Sequence, residues 1–296
     1  MNTARKMKII LGPASINLGK QIAQTIEAET VPVAFKTFAD GENYLRLEGQ
    51  LQNEDVAIVQ TTSPPQDTRL VQLALMADSA KRNGAKMITA VVPYLAYARQ
   101  DKIFLKGESI SAQVIAQMLK ASGVDQLITV NIHQDKVLSQ FPFPARSVSA
   151  IPLLAEYFVK KGYSKAFALS PDKGAIHIAE EARKVLGGDC GYLEKNRDRY
   201  TGQVGMESKT LDVKNKTVII FDDIISSGGT IVAAAKILKE MNPQRICVAC
   251  VHPLLIGEAE RLILQTGVEE IVGTDSVPSS VSKVSLAPLL STELAG

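Results

Sequence analysis

Short apolar runs rich in β-branched residues alternate along this chain with amphipathic segments whose apolar residues recur every three or four positions. The runs predict strands and the segments predict helices. Strands separated by helices imply a mostly parallel sheet with helices on both faces, an α/β fold. The predicted strands are 7–12, 31–38, 44–47, 56–60, 87–92, 127–132, 166–169, 217–221 and 246–251.

The pattern occurs twice. Residues 56–95 and residues 218–255 each run strand, loop, helix and strand, and each ends in an exit that contains a proline, Pro93 in the first and Pro253 in the second. This similarity predicts two related domains, although any two strand–helix–strand units share the general pattern. Residues 141–144 hold two prolines and form the candidate linker, so we place the domains at 1–145 and 146–296.

Composition excludes several classes of protein. The chain of 296 residues has 33 basic and 31 acidic side chains, a balance that argues against a polybasic nucleic-acid surface. No apolar run approaches the roughly 18 residues that a membrane helix needs. Three cysteines give no disulfide framework. We therefore expect a cytoplasmic protein whose partners include neither nucleic acid nor a membrane.

The strongest chemical signal is the sequence FDDIISSGGT at 221–230, between a predicted strand and a predicted helix. Asp222 and Asp223 follow the strand at its carboxyl end, where open α/β sheets bind ligands. Carboxylates there suit a sugar diol, and the start of the helix suits a phosphate. The alternative is a surface turn with a threonine cap. The phosphate-side candidates are Ser226, Ser227, Gly228, Gly229 and Thr230.

Further motifs occur in a fixed order around this loop. They are FADGE at 38–42, PYLAYARQD at 93–101, NIH at 131–133, SPDKG at 170–174 and KNR at 195–197. The ordered set resembles the ribose-phosphate pyrophosphokinase (phosphoribosyl-diphosphate synthetase) family from about residue 7 to about residue 290. The Ser-Ser-Gly-Gly-Thr loop is similar to that of the archaeal branch.

The resemblance implies two tandem type I phosphoribosyltransferase-like domains, the first on the nucleotide side and the second on the ribose 5-phosphate side. It also implies an activity: ATP and ribose 5-phosphate give AMP and 5-phosphoribosyl 1-diphosphate, with Mg²⁺ as cofactor and a homo-oligomer of at least two chains. The alternatives are a phosphoribosyltransferase and a catalytically silent regulatory homologue. Lys195, Arg197, Asp222 and Asp223 are all present, which argues against the silent homologue.

The resemblance assigns roles residue by residue. Phosphoryl transfer needs cations around the transferring group, and a guanidinium matches phosphate oxygens. The implied catalytic residues are Lys195 and Arg197; the ATP-binding residues Phe38, Asp40, Glu42, Arg99 and Gln100; the ribose 5-phosphate-binding residues Arg197, Asp222, Asp223, Ser226, Ser227, Gly228, Gly229 and Thr230; and the metal ligands His133 and Asp172.

Taken by themselves, several of these motifs have plainer interpretations. On these interpretations Asp40 only begins an ordinary hairpin turn and Arg99 only belongs to a solvated polar loop. Residues 195–199 would then be a solvated basic loop. A histidine at a strand end is more often a hydrogen-bonding residue than a metal ligand. Asn131 also departs from the aspartate that many members of the family carry, which weakens the case for His133 as a ligand.

Overall fold

The computed structural model describes residues 7–197, 204–207 and 211–295, with only the backbone given for 195–197 and 204–207. Two compact units divide the chain. Met1–Val148 and Ser285–Gly296 form the N-terminal unit, and Ser149–Val284 forms the C-terminal unit.

This division differs from the expected one at 145/146 in two respects. The proline segment is not a linker, because the rings of Phe141 and Phe143 are buried in the core of the N-terminal unit and the chain continues there into another strand. The last helix also belongs to the N-terminal unit, where the Arg146 Nε donates to Glu293 Oε2 at 2.9 Å and Ser285 donates to Gln21.

The N-terminal unit is built on one six-stranded parallel sheet of order β2-β1-β5-β6-β7-β8 and a separate antiparallel hairpin, β3–β4. The strands are β1 Met7–Leu11, β2 Glu29–Val31, β3 Val33–Thr37, β4 Asn43–Leu47, β5 Asp55–Val59, β6 Met87–Val92, β7 Gln126–Val130 and β8 Ala145–Val148. The helices are α1 Ile16–Thr25, α2 Gln66–Arg82, α3 Ser111–Ala121 and α8 Ala287–Ala295.

The C-terminal unit repeats this plan. Its parallel sheet has the order β10-β9-β13-β14-β15-β16, and β11–β12 form a separate antiparallel pair. The strands are β9 Phe167–Ser170, β10 Cys190–Tyr192, β11 Glu194–Arg197, β12 Val204–Glu207, β13 Thr217–Ile225, β14 Arg245–Pro253, β15 Glu270–Thr274 and β16 Ser282–Val284. The helices are α4 Ile151–Lys160, α5 Ile176–Leu186, α6 Gly229–Glu240 and α7 Ala259–Gln265.

The predicted fold class and the internal duplication are confirmed, because the two sheets share one strand order. Two strand boundaries differ from the prediction. The run 31–38 is divided between β2 and β3 at Pro32, which has no N–H to donate to a sheet. β13 continues to Ile225, so Asp222 and Asp223 lie within the strand rather than after it.

Each unit has its own apolar core, built mainly from aliphatic side chains. Ile58 and Leu73 are fully buried in the first, and Ile220 and Val248 in the second. Burying one such side chain contributes about 1.5–3 kcal/mol. No helix within the described ranges combines the length and the apolar character that crossing a membrane requires.

Candidate active site

The acidic pair lies near the carboxyl end of β13, between β9 and β14. Asp222 is opposite Cys250 in the ladder, and both aspartates are partly buried. The Asp223 N–H donates to Asp222 Oδ1 at 2.9 Å, and the Ile224 N–H donates to Asp223 Oδ1 at 2.8 Å. The backbone of the strand thus fixes the direction of both carboxylates.

Negative charge is concentrated at this edge of the sheet. Burial raises the pKa of Asp222 well above its usual range, and the neighbouring carboxylates of Asp223 and Asp172 raise it further. Asp172 follows β9, the adjacent strand, where its Oδ1 accepts the Ala175 N–H at 3.2 Å. Carboxylates that repel one another suit a ligand that brings hydroxyl donors.

The candidate phosphate loop, Ser226–Thr230, joins β13 to α6. Gly228 has φ 78°, and a Cβ atom there would lie 3.1 Å from Ile263 Cδ1, so only glycine fits without strain. The Ile256 N–H donates to the Ser226 carbonyl at 3.0 Å and holds the loop. The first N–H groups of α6 have no acceptor within the helix, which favours an anion at this end.

Lys195 and Arg197 lie on β11, opposite Met206 and Val204 of β12. Their side chains fall outside the part of the chain that the structure describes. β11 comes directly after β10, and β10 pairs with β9 through Tyr192 and Ser170. The backbone therefore enters the β11–β12 pair beside the strand that leads to Asp172.

The candidate nucleotide residues of the N-terminal unit begin with the turn of the β3–β4 hairpin. The Phe38 N–H donates to the Glu42 carbonyl at 2.8 Å, and the Glu42 N–H donates to Asp40 Oδ1 at 3.1 Å. Phe38 packs edge-on against Tyr44 and carries Lys36 over its face. Phe38, Asp40 and Glu42 are all exposed, so an aromatic face and two carboxylates are presented together.

The remaining candidates of this unit follow β6 and β7. Arg99 is exposed, whereas Gln100 is partly buried and its Oε1 accepts the Ser111 hydroxyl at 2.8 Å. His133 is exposed and comes shortly after β7. Because β6 and β7 are parallel neighbours, their carboxyl ends meet at one edge of the sheet.

Carboxylates are the ligands that Mg²⁺ prefers. Asp172 is of that type, and His133 is not. Among the described residues, no group of three His, Cys, Asp or Glu side chains forms a cluster that could hold a metal. Mg²⁺ keeps several waters and takes one or two carboxylates together with substrate phosphates, so Asp172 fits the ion without such a cluster.

Comparison with known proteins decides the family. Residues 7–123 match the N-terminal domain of ribose phosphate pyrophosphokinase, and residues 146–286 match the phosphoribosyl transferase domain. The ribose-phosphate pyrophosphokinase of Methanothermobacter thermautotrophicus is 39% identical over 94% of this chain and 96% of its own length. This chain belongs to the ribose-phosphate pyrophosphokinase family.

Other members support the assignment. The ribose-phosphate pyrophosphokinase of Methanobrevibacter smithii is 39% identical over 97% of this chain and 99% of its own length. The crystal structure of phosphoribosylpyrophosphate synthetase from Mycobacterium smegmatis matches with a TM-score of 0.87 and 29% identity, over 98% of this chain and 97% of that one. The family resemblance and the two phosphoribosyltransferase-like domains predicted from sequence are thus confirmed, and the similarity to archaeal members with them.

One set of residues was not found by sequence reasoning. Gln60, Gln72 and Asn43 are joined by hydrogen bonds in the N-terminal unit. The available signal was the first repeat, where Gln60-Thr61 follow an apolar strand as Asp222-Asp223 follow Val218–Phe221 in the second.

Proposed function

We propose that this chain transfers the diphosphoryl group of ATP to the anomeric hydroxyl of ribose 5-phosphate, giving 5-phosphoribosyl 1-diphosphate and AMP. Membership of the ribose-phosphate pyrophosphokinase family supports the reaction. The observation that carries the proposal is the edge of the C-terminal sheet, where a carboxylate cluster stands beside a glycine-rich loop that opens a helix.

Ribose 5-phosphate binds at this edge. Asp222 and Asp223 accept hydrogen bonds from ribose hydroxyls, and the loop 226–230 holds the 5-phosphate. The geometry of Gly228 and the free N–H groups at the start of α6 support the phosphate assignment. The raised pKa of Asp222 supports the diol assignment, because two hydroxyl donors relieve the repulsion among the carboxylates.

ATP binds through the N-terminal unit. The Phe38 ring lies against the base, Asp40 and Glu42 accept from the adenine amino group or the ribose, and Arg99 and Gln100 contact phosphate oxygens. The exposure of the hairpin turn supports a site that it shares with a neighbouring copy. We therefore propose a homo-oligomer of at least two chains.

In the transfer step, the anomeric oxygen attacks the β-phosphorus in line. A new O–P bond forms, the bond from the β-phosphorus to the α–β bridging oxygen breaks, AMP leaves, and the hydroxyl proton is released. Lys195 and Arg197 hold the transferring diphosphoryl group in position, and their positive charges stabilise the negative charge that develops on it. Bound Mg²⁺ would neutralise charge on the triphosphate; Asp172 is the proposed ligand in the C-terminal unit and His133 the candidate ligand in the N-terminal unit.

The test is an incubation with ATP, Mg²⁺ and ribose 5-phosphate, without any nucleobase. AMP release that depends on the sugar is expected. If no AMP forms while a base and 5-phosphoribosyl 1-diphosphate react, the chain is a phosphoribosyltransferase. Nucleotide binding without any turnover identifies a regulatory homologue.

The compartment is a lesser part of the proposal. Cys190, Cys247 and Cys250 are free thiols, which suits a reducing environment. We place the protein in the cytoplasm.

A further inference from the structure

A chain of three amide side chains runs through the N-terminal unit from the carboxyl end of β5. Gln60 is fully buried, and its Oε1 accepts the Ala14 N–H at 3.0 Å. The Gln60 Nε2 donates to Gln72 Oε1 at 3.1 Å, and the Gln72 Nε2 donates to Asn43 Oδ1 at 3.1 Å. We call Gln60, Gln72 and Asn43 the amide relay.

Neighbouring groups fix the orientation of the Gln72 amide and the position of the Gln60 side chain. Arg69 Nη1 also donates to Gln72 Oε1, at 3.0 Å, so the amide oxygen of Gln72 faces Gln60 and Arg69 while its nitrogen faces Asn43. Gly12 lies so close to Gln60 that a Cβ atom there would collide with Gln60 Oε1. Gln72 is only 1% exposed, so water cannot replace a lost partner. The relay is therefore a single arrangement rather than a set of exchangeable contacts.

The relay ends at the nucleotide hairpin. Asn43 is the first residue of β4 and directly follows Glu42. Farther along β4, Leu47 is buried in the core, whereas the turn at 38–42 is exposed. Among the described residues of this hairpin and α2, the bond from Gln72 to Asn43 is the one side-chain hydrogen bond that joins the two elements. This hydrogen bond therefore holds the hairpin to α2 at the residue next to the turn.

We propose that the amide relay positions Asp40 and Glu42 for ATP, which makes Gln60 and Gln72 positioning residues of the nucleotide site. The inference rests on the proposed function. Without the bond to Asn43, the base of the turn is no longer held to α2. Part of the free energy of ATP binding is then spent on ordering the hairpin, so the affinity for ATP falls. The relay thus acts on ATP affinity and leaves the ribose 5-phosphate site unchanged.

The kinetic test compares Gln72→Leu with Ile88→Val. Ile88 lies in the same core, near the amino end of β6, and its apolar side chain takes no part in the relay; its substitution lowers stability modestly. We expect Gln72→Leu to raise the KM for ATP about 5- to 20-fold, with the KM for ribose 5-phosphate unchanged. Ile88→Val changes neither constant. If Gln72→Leu does not fold, Asn43→Leu carries the test, because Asn43 is only partly buried.

A second measurement does not depend on activity. Hydrogen exchange of the ligand-free protein reports the N–H groups of Phe38 and Gly41, which close the turn. Gln72→Leu and Asn43→Leu are expected to accelerate their exchange several-fold. Asn43→Asp keeps an oxygen that accepts from Gln72, so its exchange matches that of the wild type.

The outcomes separate the two proposals. If wild-type protein releases AMP but the leucine variants keep the wild-type KM for ATP, or raise both KM values together, the relay is purely structural and the inference is overturned. Turn amides that exchange at the wild-type rate in Gln72→Leu also overturn it. Wild-type protein that releases no AMP overturns the proposed function, whereas accelerated exchange in the leucine variants still supports the relay as the restraint on the hairpin.

Discussion

The two units share one order of strands in their sheets. They differ in the residues at the carboxyl end of the third strand in that order, which is β5 in the N-terminal unit and β13 in the C-terminal unit. In the C-terminal unit this strand carries Asp222 and Asp223, and burial with carboxylate repulsion raises the pKa of Asp222. In the N-terminal unit the strand leads into Gln60, whose amide is bonded on both sides. The edge that carries the two aspartates concentrates carboxylates and suits a ligand, whereas the edge at Gln60 is closed by hydrogen bonds between neutral groups. In our proposals the same scaffold supports a binding site where Asp222 and Asp223 stand and a restraint where Gln60 stands.

The largest expected effect comes from the cations that we assign to the C-terminal unit. Lys195→Ala should lower kcat by about 10³-fold or more, because a cation on a transferring phosphoryl group acts mainly in the transition state. AMP release under saturating substrates measures it. Lys214→Ala is the matched control, an exposed lysine of the same unit. Near-normal turnover of Lys195→Ala would remove that residue from the catalytic group.

A carboxylate can be introduced at Gln60, where the N-terminal unit has a neutral amide. Gln60→Glu removes the donor to Gln72 and buries a carboxylate against an amide oxygen. We expect a loss of about 2–5 kcal/mol in the free energy of unfolding. Urea unfolding measures it, with Ile88→Val as a control for a modest change in the same core. A variant as stable as the wild type would mean that the two edges do not differ in this way.

An amide can be introduced at Asp222, where the C-terminal unit has a carboxyl group. Asp222→Asn replaces a carboxyl oxygen that accepts from a ribose hydroxyl by an amide NH₂ group, so the KM for ribose 5-phosphate should rise about 10- to 100-fold with little change in the KM for ATP. The same substitution removes the cost of burying a carboxylate and its repulsion from Asp223 and Asp172, so thermal unfolding should shift to higher temperature. Unchanged affinity for the sugar would contradict the diol contact.

The smallest effect is a pH dependence. Because the pKa of Asp222 is raised in the folded chain, the folded state keeps a proton that the unfolded state releases once the pH passes about 4. The stability of the ligand-free protein therefore falls as pH rises from there to the folded pKa, by at most about 1.4 kcal/mol per pH unit.

Urea unfolding at several pH values checks this, with Asp222→Asn as the matched variant. The difference in stability between the two proteins should grow with pH and then level off. A constant difference across the range would show that Asp222 titrates as an ordinary aspartate.

Local patterns predicted much of the fold, because strands and helices follow from apolar periodicity. They also located the acidic loop, since Asp222 and Gly228 lie a few residues apart in the chain. They failed where distant packing decides. Residues 141–144 were predicted to be a linker, but Phe143 is buried in the core of the N-terminal unit. The amide relay was not predictable, because it joins residues on two strand ends and a helix and depends on the rotamer of Gln72.

Helix α8 lies in the N-terminal unit, although the whole C-terminal unit separates it in sequence from β8. During synthesis the first unit consequently waits for its last helix until the second has left the ribosome. Domains usually complete themselves in the order in which they are translated. Here the N-terminal unit is finished last, so a chain interrupted before residue 285 lacks the helix that packs on α1.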